Sequence, residues 1–550
     1  MQKSAYGETT DSRRINPLAC NGMVTSPHYL ATQAGIDILR RGGNALDAAV
    51  AVSAVLSVVY PHMCGIGGDA FMLFYHAETG RLMGMNASGR SAAAADIAAF
   101  SALGMKAVPD RGPLAAITVP GAVSGWELAR QFSAERMGSP LSWSEILEPA
   151  VSYAQEGFPV SPSLAMWMRL DSADKGVLRR YAEAGRIYLN NGRPYAPGEM
   201  LRQPELAATL RRVALQGARE CYEGETAERM CACLKELGGL LAPADFSAQH
   251  AFWTEPLSVN YRGLQACNLP PNTQGMASLE ILNILKRFDM AGMKEGSADY
   301  VHVITEATKE AFSDRDSWLT DPDFADIPLA ALLSDEHAAR QSARMRMDAA
   351  AHDLHPLTAG GDTVWLGAAD RHGNAVSYIQ SLYFDFGSGV IPDGTGVLLQ
   401  NRGCFFSLDP QHINALMPCK RTAHTLNPAM LLKNGRPFLV YGTMGGEGQP
   451  QTQAALVTRI VDFSMPPQQA IDAPRWLYGR SWGDSGNSLL LEGRFDDRIA
   501  GELAARGHQV RRAKAFTDAV GHAGAILINA ETGVMQGGSD PRSDGLAAGW

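Results

Sequence analysis

From Ala45 to Tyr60 the chain is apolar on every side of a would-be helix, interrupted only by Asp47, Ser53 and Ser57. A helix without a polar face is predicted to be buried. Asn44 stands at its N-cap, Pro61 ends it, and Gly65-Ile66-Gly67-Gly68-Asp69 turns the chain into a strand from Phe71 to Tyr75. Upstream, Ser26 reads as an N-cap with Pro27 at the first helical position and Gly42-Gly43 as the stop, which predicts another helix between them. Residues 125 to 350 carry mostly the helical period, with extended pieces at Leu257 to Tyr261 and Leu264 to Leu269. After Gly361 the pattern changes to strands separated by turn formers. Thr363 to Ala369 and Ala375 to Gln380 flank Asp370 to Asn374; Met430 to Lys433 and Pro437 to Tyr441 flank Asn434-Gly435; Ala525 to Asn529 and Val534 to Gln536 flank Glu531 to Gly533. Each predicts a hairpin, as do Phe71 to His76 and Arg81 to Met85 around Glu78-Thr79-Gly80. The expected body is a mixed α/β (α+β) fold, mainly antiparallel and layered helix, sheet, sheet, helix, with helices such as Gln449 to Phe463 outside. Ala349 to Asp362, with Pro356 and Gly360-Gly361, is expected to be an exposed linker.

With 550 residues, 46% hydrophobic and 19% charged, the chain has the material for a large folded body. Its 48 basic and 57 acidic residues leave a net charge of -9 and no long basic run, which argues against a nucleic-acid partner. The first twenty residues lack the apolar core of a secretory signal, so a cytoplasmic location is expected. The apolar stretch at Ala45 is too short for a membrane span, so no membrane partner is expected. Cysteines 20, 64, 221, 231, 233, 267, 404 and 419 form no C-x-x-C pair, and the 13 histidines show no ligand spacing. All eight cysteines are read as reduced apolar fillers, and no metal is expected. The Gly65 to Gly68 cluster follows a helix and precedes a strand, the reverse of a dinucleotide fingerprint, so it is read as a tight turn and no cofactor is expected.

The chain contains no G-x-S-x-G, H-E-x-x-H or phosphate-loop motif. What remains is Thr363, a hydroxyl residue opening a strand after Gly360-Gly361-Asp362. A break before it would free an α-amine of pKa about 7.7 to 8, able to act as base for its own hydroxyl. Without such a break, threonine at a strand start is simply a β-former.

Many short blocks occur in a characteristic order: Gly42-Gly43-Asn44-Ala45, Gly65-Ile66-Gly67-Gly68, Val119-Pro120-Gly121, Glu148-Pro149-Ala150, Pro270-Pro271, Glu306 and Lys309 with Ala311 to Arg315, Gly361-Asp362-Thr363, Phe386 to Gly389, Gly445-Gly446, Ala473-Pro474-Arg475 and Asp540-Pro541-Arg542. Over nearly its whole length the chain resembles the gamma-glutamyltranspeptidase family of N-terminal-nucleophile hydrolases. The resemblance implies a four-layer αββα sandwich made as a precursor that cuts itself at Asp362-Thr363. Residues 1–362 would form the large subunit and 363–550 the small one, as one folded body needing no cofactor. It also implies that Thr363 is the nucleophile, Ser381 its supporting hydroxyl, and Gly445 and Gly446 the oxyanion pair. Glycines there suit the role physically, because they bring backbone N–H groups close without side-chain obstruction.

Where typical members hold the substrate's α-ammonium with an asparagine, a glutamine and an aspartate, the matching positions here carry Tyr383, Arg402 and Phe405; a pair of serines is replaced by His424-Thr425. The arginine that grips the α-carboxylate falls at Arg90, displaced by about two residues. The interval from Arg402 to Lys420 is shorter than the typical lid. A guanidinium repels an ammonium but takes a carboxylate through two charge-assisted bonds. The expected function is therefore threonine amidohydrolase on a small carboxylate-bearing acyl amide, of the kind cleaved by the family's glutaryl-cephalosporin acylases or oxamate amidohydrolases. Arg90 and Arg402 would be the carboxylate's partners, unless either serves a structural salt bridge. The alternatives are a glutathione hydrolase or γ-glutamyl transferase, and an uncleaved binding relative. Whether the processed unit forms a homo-oligomer is left open.

Overall fold

A computed structural model describes residues 14–173, 176–351, 361–479 and 488–550. Two seven-stranded sheets dominate it. The first runs in the order Leu546–Gly549, Gly22–Ser26, Asp362–Asp370, Ala375–Tyr383, Asp69–His76, Arg81–Ala87 and Phe252–Thr254. The second runs Leu18–Ala19, Met535–Ser539, Ala523–Ile528, Arg436–Thr443, Ala429–Lys433, Leu264–Asn268 and Leu257–Tyr261. All ladders in both are antiparallel, and each predicted hairpin is present. Each sheet contains strands from before and after Asp362, so the two halves form one interlocked body.

Period-two alternation decides what faces what. Trp365, Ile379, Phe71 and Leu73 of the first sheet meet Met430, Val440 and Ile526 of the second in a core between the sheets. The alternate residues Val364, Leu366, Val376 and Tyr378 point the other way, into a core with helices Tyr29–Arg40 and Ala45–Val59. On the far side, Leu431, Leu439 and Tyr441 pack with helices Gly275–Leu285, Ala298–Trp318 and Gly448–Val461. The four layers are therefore helix, sheet, sheet, helix, as expected. Helix Ala45–Val59 is buried along its entire length, and Asn44 caps it in a box with Asp47.

Two expectations need correction, and a third falls mostly outside the described residues. The first helix is capped by His28, whose Nδ1 accepts from Leu30 N, because the strand Gly22–Ser26 continues through Ser26 and spends its hydroxyl on His28 O and Thr32 Oγ1. Cys20 and Cys419 are exposed, so the filler reading fails for those two; all eight cysteines are free. Of the expected linker, residues 352–360 lie outside the described residues, while Ala350 and Ala351 are held by hydrogen bonds. No helix among the described residues is long and apolar enough to cross a membrane.

Candidate active site

Thr363 lies two residues before Trp365 and Ser381 two after Ile379, while Asp69 lies two before Phe71. Alternation therefore places all three on the inter-sheet face, at one end of the first sheet. Ser381 pairs with Asp69 in the ladder. Opposite, Asp362 pairs with Tyr383 and Val364 with Gln380, so the facing strand carries one extra residue where Thr363 sits. This bulge places Tyr383 at φ 85, a backbone region costly for an aromatic residue. Thr363 is buried, and its Oγ1 has no hydrogen-bond partner among the described residues.

Across the bulge from Thr363, Ser381 belongs to a cationic group. Ser381 Oγ accepts from Tyr383 N at 2.7 Å and from Arg402 Nη2 at 3.4 Å. The Arg402 guanidinium lies 4.0 Å from the centre of the Tyr383 ring, which stacks on Phe384 and meets Phe405 edge-on. Arg402 is buried, its Nε and Nη1 have no partner, and no carboxylate comes within ion-pair distance among the described residues. Burial pulls it down to about 10, against the upward pull of Tyr383 and Asp69. A buried guanidinium with unused donors is a receptor for a planar anion.

Asp69 is the hub that joins this group to its surroundings. Its Oδ1 accepts from Gly89 N, Gly121 N and Gln400 Nε2, each at 3.1 Å, and its Oδ2 lies 3.2 Å from His424 Nε2. His424 Nδ1 accepts from Leu426 N, so Nε2 carries the proton and donates to Asp69. Burial, and then Arg402, hold this imidazole well below its ordinary value, neutral at pH 7. Burial lifts the Asp69 carboxyl to about 6, opposed by Arg402 and by the bonds it accepts.

The acid thus binds its proton more tightly in the folded than in the unfolded chain. Between about pH 4 and 6 the folded form holds the proton that the unfolded form has lost, so the Asp69 contribution to stability falls as pH rises through that window. A shift from 3.8 to about 6 corresponds to about 3 kcal/mol. Denaturant titrations of wild type and Asp69→Asn at pH 4, 5, 6 and 7 should show wild type losing ground to the variant as pH rises. A constant difference would mean that Asp69 is not perturbed.

Gly445 and Gly446 follow the strand Arg436–Thr443 at φ 121 and 53, immediately before helix Gly448–Val461. Neither N–H is taken by an acceptor among the described residues, and both lie at the positive end of the helix dipole. Gln274 ties this turn to the next element: its Nε2 donates to Thr425 O at 2.7 Å and Gly446 O at 2.9 Å, while its Oε1 accepts from Arg315 Nη1. Thr425 Oγ1 is buried without a partner beside a cavity of about 340 Å³ that Gln274, Arg315, Phe405, His412 and Asn414 also line. The short Arg402–Lys420 interval thus supplies part of the cavity wall.

Arg90 stands apart from this group. Its guanidinium pairs with Asp321 at 3.2 Å and Asp323 at 2.5 Å and donates to Cys419 O, sharing no partner with Thr363, Ser381 or Arg402. It is neutralised, so the carboxylate-receptor expectation rests on Arg402. Asp69 and Gln274 escaped the sequence reading. The signal for Asp69 was a charged residue opening an otherwise apolar strand, hidden by reading Gly65 to Asp69 as a plain turn; nothing local marked Gln274.

A model of the gamma-glutamyltranspeptidase family matches residues 31–550. The chain is 46% identical over 527 residues to the glutathione hydrolase-like YwrD proenzyme of Bacillus subtilis (strain 168), covering 96% of this chain and 98% of that protein. It is 43% identical over 533 residues to the oxamate amidohydrolase proenzyme of Klebsiella pneumoniae subsp. pneumoniae, covering 97% and 99%. The crystal structure of cephalosporin acylase from Bacillus halodurans superposes with a TM-score of 0.90 at 38% identity, covering 100% of this chain and 99% of that one.

Proposed function

The chain belongs to the gamma-glutamyltranspeptidase family and is an enzyme of it, an amidohydrolase related to acylases and glutathione hydrolases; from that premise we propose that it matures by cutting Asp362-Thr363 and then hydrolyses amides of small, carboxylate-bearing acyl groups. The observation that carries the acyl preference is Arg402, a buried cation with two unpartnered nitrogens that touches Ser381. In maturation the Thr363 hydroxyl attacks the Asp362 carbonyl, the C–N bond breaks to leave an ester and a free Thr363 α-amine, and water hydrolyses the ester, releasing residues 1–362 as a carboxylate and restoring the hydroxyl. In turnover that amine takes the hydroxyl proton as Oγ1 attacks the substrate carbonyl, and the Gly445 and Gly446 N–H groups receive the oxyanion. Collapse returns the proton to the departing amine, and water resolves the acyl-enzyme.

Ser381 supports Thr363 in this reading. Ser381→Ala removes that support and the hydrogen bond from Tyr383 N, a loss of about 0.5 to 1.5 kcal/mol. Fragment formation followed by mass, and turnover of the cut fraction, should both slow in a folded protein. Undiminished rates would remove Ser381 from the site.

A γ-glutamyl amide is the competing substrate, favoured by the hydrolase-like name of the Bacillus relative. Release of amine from oxamate, a glutaryl amide and glutathione, assayed side by side, separates the two readings: turnover of the ammonium-free amides supports the proposal, and turnover of glutathione alone refutes it.

A further inference from the structure

Away from the Thr363 site, helix Ala298–Trp318 buries an ion pair. Glu306 and Lys309, one turn apart, are 2% and 4% exposed in their side chains and lie 2.9 Å from each other. Burying two charges costs more than their attraction returns unless their remaining hydrogen-bonding capacity is also filled. Here the backbone of one residue supplies two of those bonds, while Glu306 Oε1 keeps only its ion pair with Lys309. Ala351 N donates to Glu306 Oε2 and Lys309 Nζ donates to Ala351 O, both at 2.8 Å. One turn before Glu306, His302 Nε2 donates to Arg346 O at 2.7 Å, which leaves its Nδ1 to accept from His508 Nε2 at 2.7 Å. Ala350 N donates to Arg506 O. Residues 346–351 are therefore gripped through their backbone by both halves of the chain.

His302, Glu306 and His508 also bring three metal-ligand atoms within 4.8 Å of one another. The Lys309 ammonium already neutralises that carboxylate, and the two rings are already bonded to each other, so the chemistry of the cluster is that of holding a peptide rather than a cation.

The clamp lies twelve residues before Thr363, on the stretch that leads into the bond the proposed maturation breaks. The other end of the approach is also fixed: a Cβ on Gly361 would come 2.5 Å from the Tyr383 ring, so only glycine passes there. We propose that Glu306 and Lys309 are positioning residues for maturation, a peptide clamp that holds Ala351 so that the chain enters the scissile site in one direction. The inference rests on the self-cutting reading above but concerns residues outside the reacting group.

A magnitude separates positioning from mere tethering. Without the Ala351 bonds the next backbone hold upstream is Ala350 N on Arg506 O, one residue earlier. Loop-closure entropy alone would then slow cutting by well under twofold. Glu306→Gln and Lys309→Met, purified as full chains and shown to be folded by thermal melting, should cut about tenfold more slowly or worse by mass spectrometry, while turnover per cut molecule stays at the wild-type value. A slowing that does not exceed twofold in a folded variant overturns positioning.

Hydrogen exchange keeps the question open to test whatever the cutting assay shows. In an uncut Thr363→Ala background, the Ala351 amide should be protected and should lose that protection in Glu306→Gln. If wild type never cuts, the self-cutting reading fails first. An unprotected Ala351 amide in the Thr363→Ala chain refutes the clamp itself.

Discussion

Replacement of Thr363 by alanine should leave a single chain of 59.0 kDa under denaturing conditions, where wild type resolves into fragments 1–362 and 363–550. By residue share these weigh roughly 39 and 20 kDa. The same change should abolish amide turnover, because it removes at once the attacking Oγ1 and the event that frees the α-amine base. The Thr363 Oγ1 is suited to this role, being buried and without a partner among the described residues, so it has no hydrogen bond to them to break before it attacks. Structurally little should change: threonine to alanine at a site where the hydroxyl bonds to none of the described residues sacrifices only a methyl contact and a buried polar atom. Intact mass is the decisive measurement. An uncut wild-type chain after prolonged incubation, or a Thr363→Ala chain cut at the same bond, would defeat the maturation reading.

Arg402→Ala should lower kcat/KM for a glutaryl or oxalyl amide by about 2 to 3 kcal/mol, roughly 30- to 150-fold, the worth of a charge-assisted contact in a dry site. Arg402→Lys should recover only part of this, since an ammonium supplies charge without the planar fork. The γ-glutamyl amide should respond oppositely or hardly at all, because its ammonium gains nothing from the guanidinium. Stability gives a second readout. A buried cation with no carboxylate partner costs desolvation free energy, so Arg402→Met should melt at or above wild type while its activity collapses. A structural arginine would show the reverse, a loss of stability with activity per folded molecule preserved. Arg90→Ala serves as the contrast: with Asp321 and Asp323 already neutralising Arg90, its loss should leave the preference between the two acyl classes unchanged. A wild type that prefers γ-glutamyl anilide, with Arg402→Ala unaltered on both substrates, would sink the carboxylate reading.

Local pattern carried the elements that local forces make. The all-apolar run after Asn44 could only be a buried helix, and turn residues such as Asn434-Gly435 between apolar runs could only be hairpins, because backbone period and turn chemistry are settled within a few residues. The helix start at His28 was misplaced for the same reason: Ser26-Pro27 is a good local cap, and only pairing of Gly22–Ser26 with strands more than 300 residues away extends the strand through it.

The layer order, the strand read from Thr363 and the family motifs along it follow from residue type and order alone. The fate of each charge was settled in the folded arrangement. Arg90 and Arg402 look alike in the chain, yet one meets two carboxylates from the 321–323 segment and the other meets an aromatic face and a serine. The bond from His424 to Asp69 spans 355 residues and that from Gln274 to Gly446 spans 172. Whether a buried charge is spent or free depends on what the fold sets within about 4 Å of it, and at such separations no local pattern records that distance.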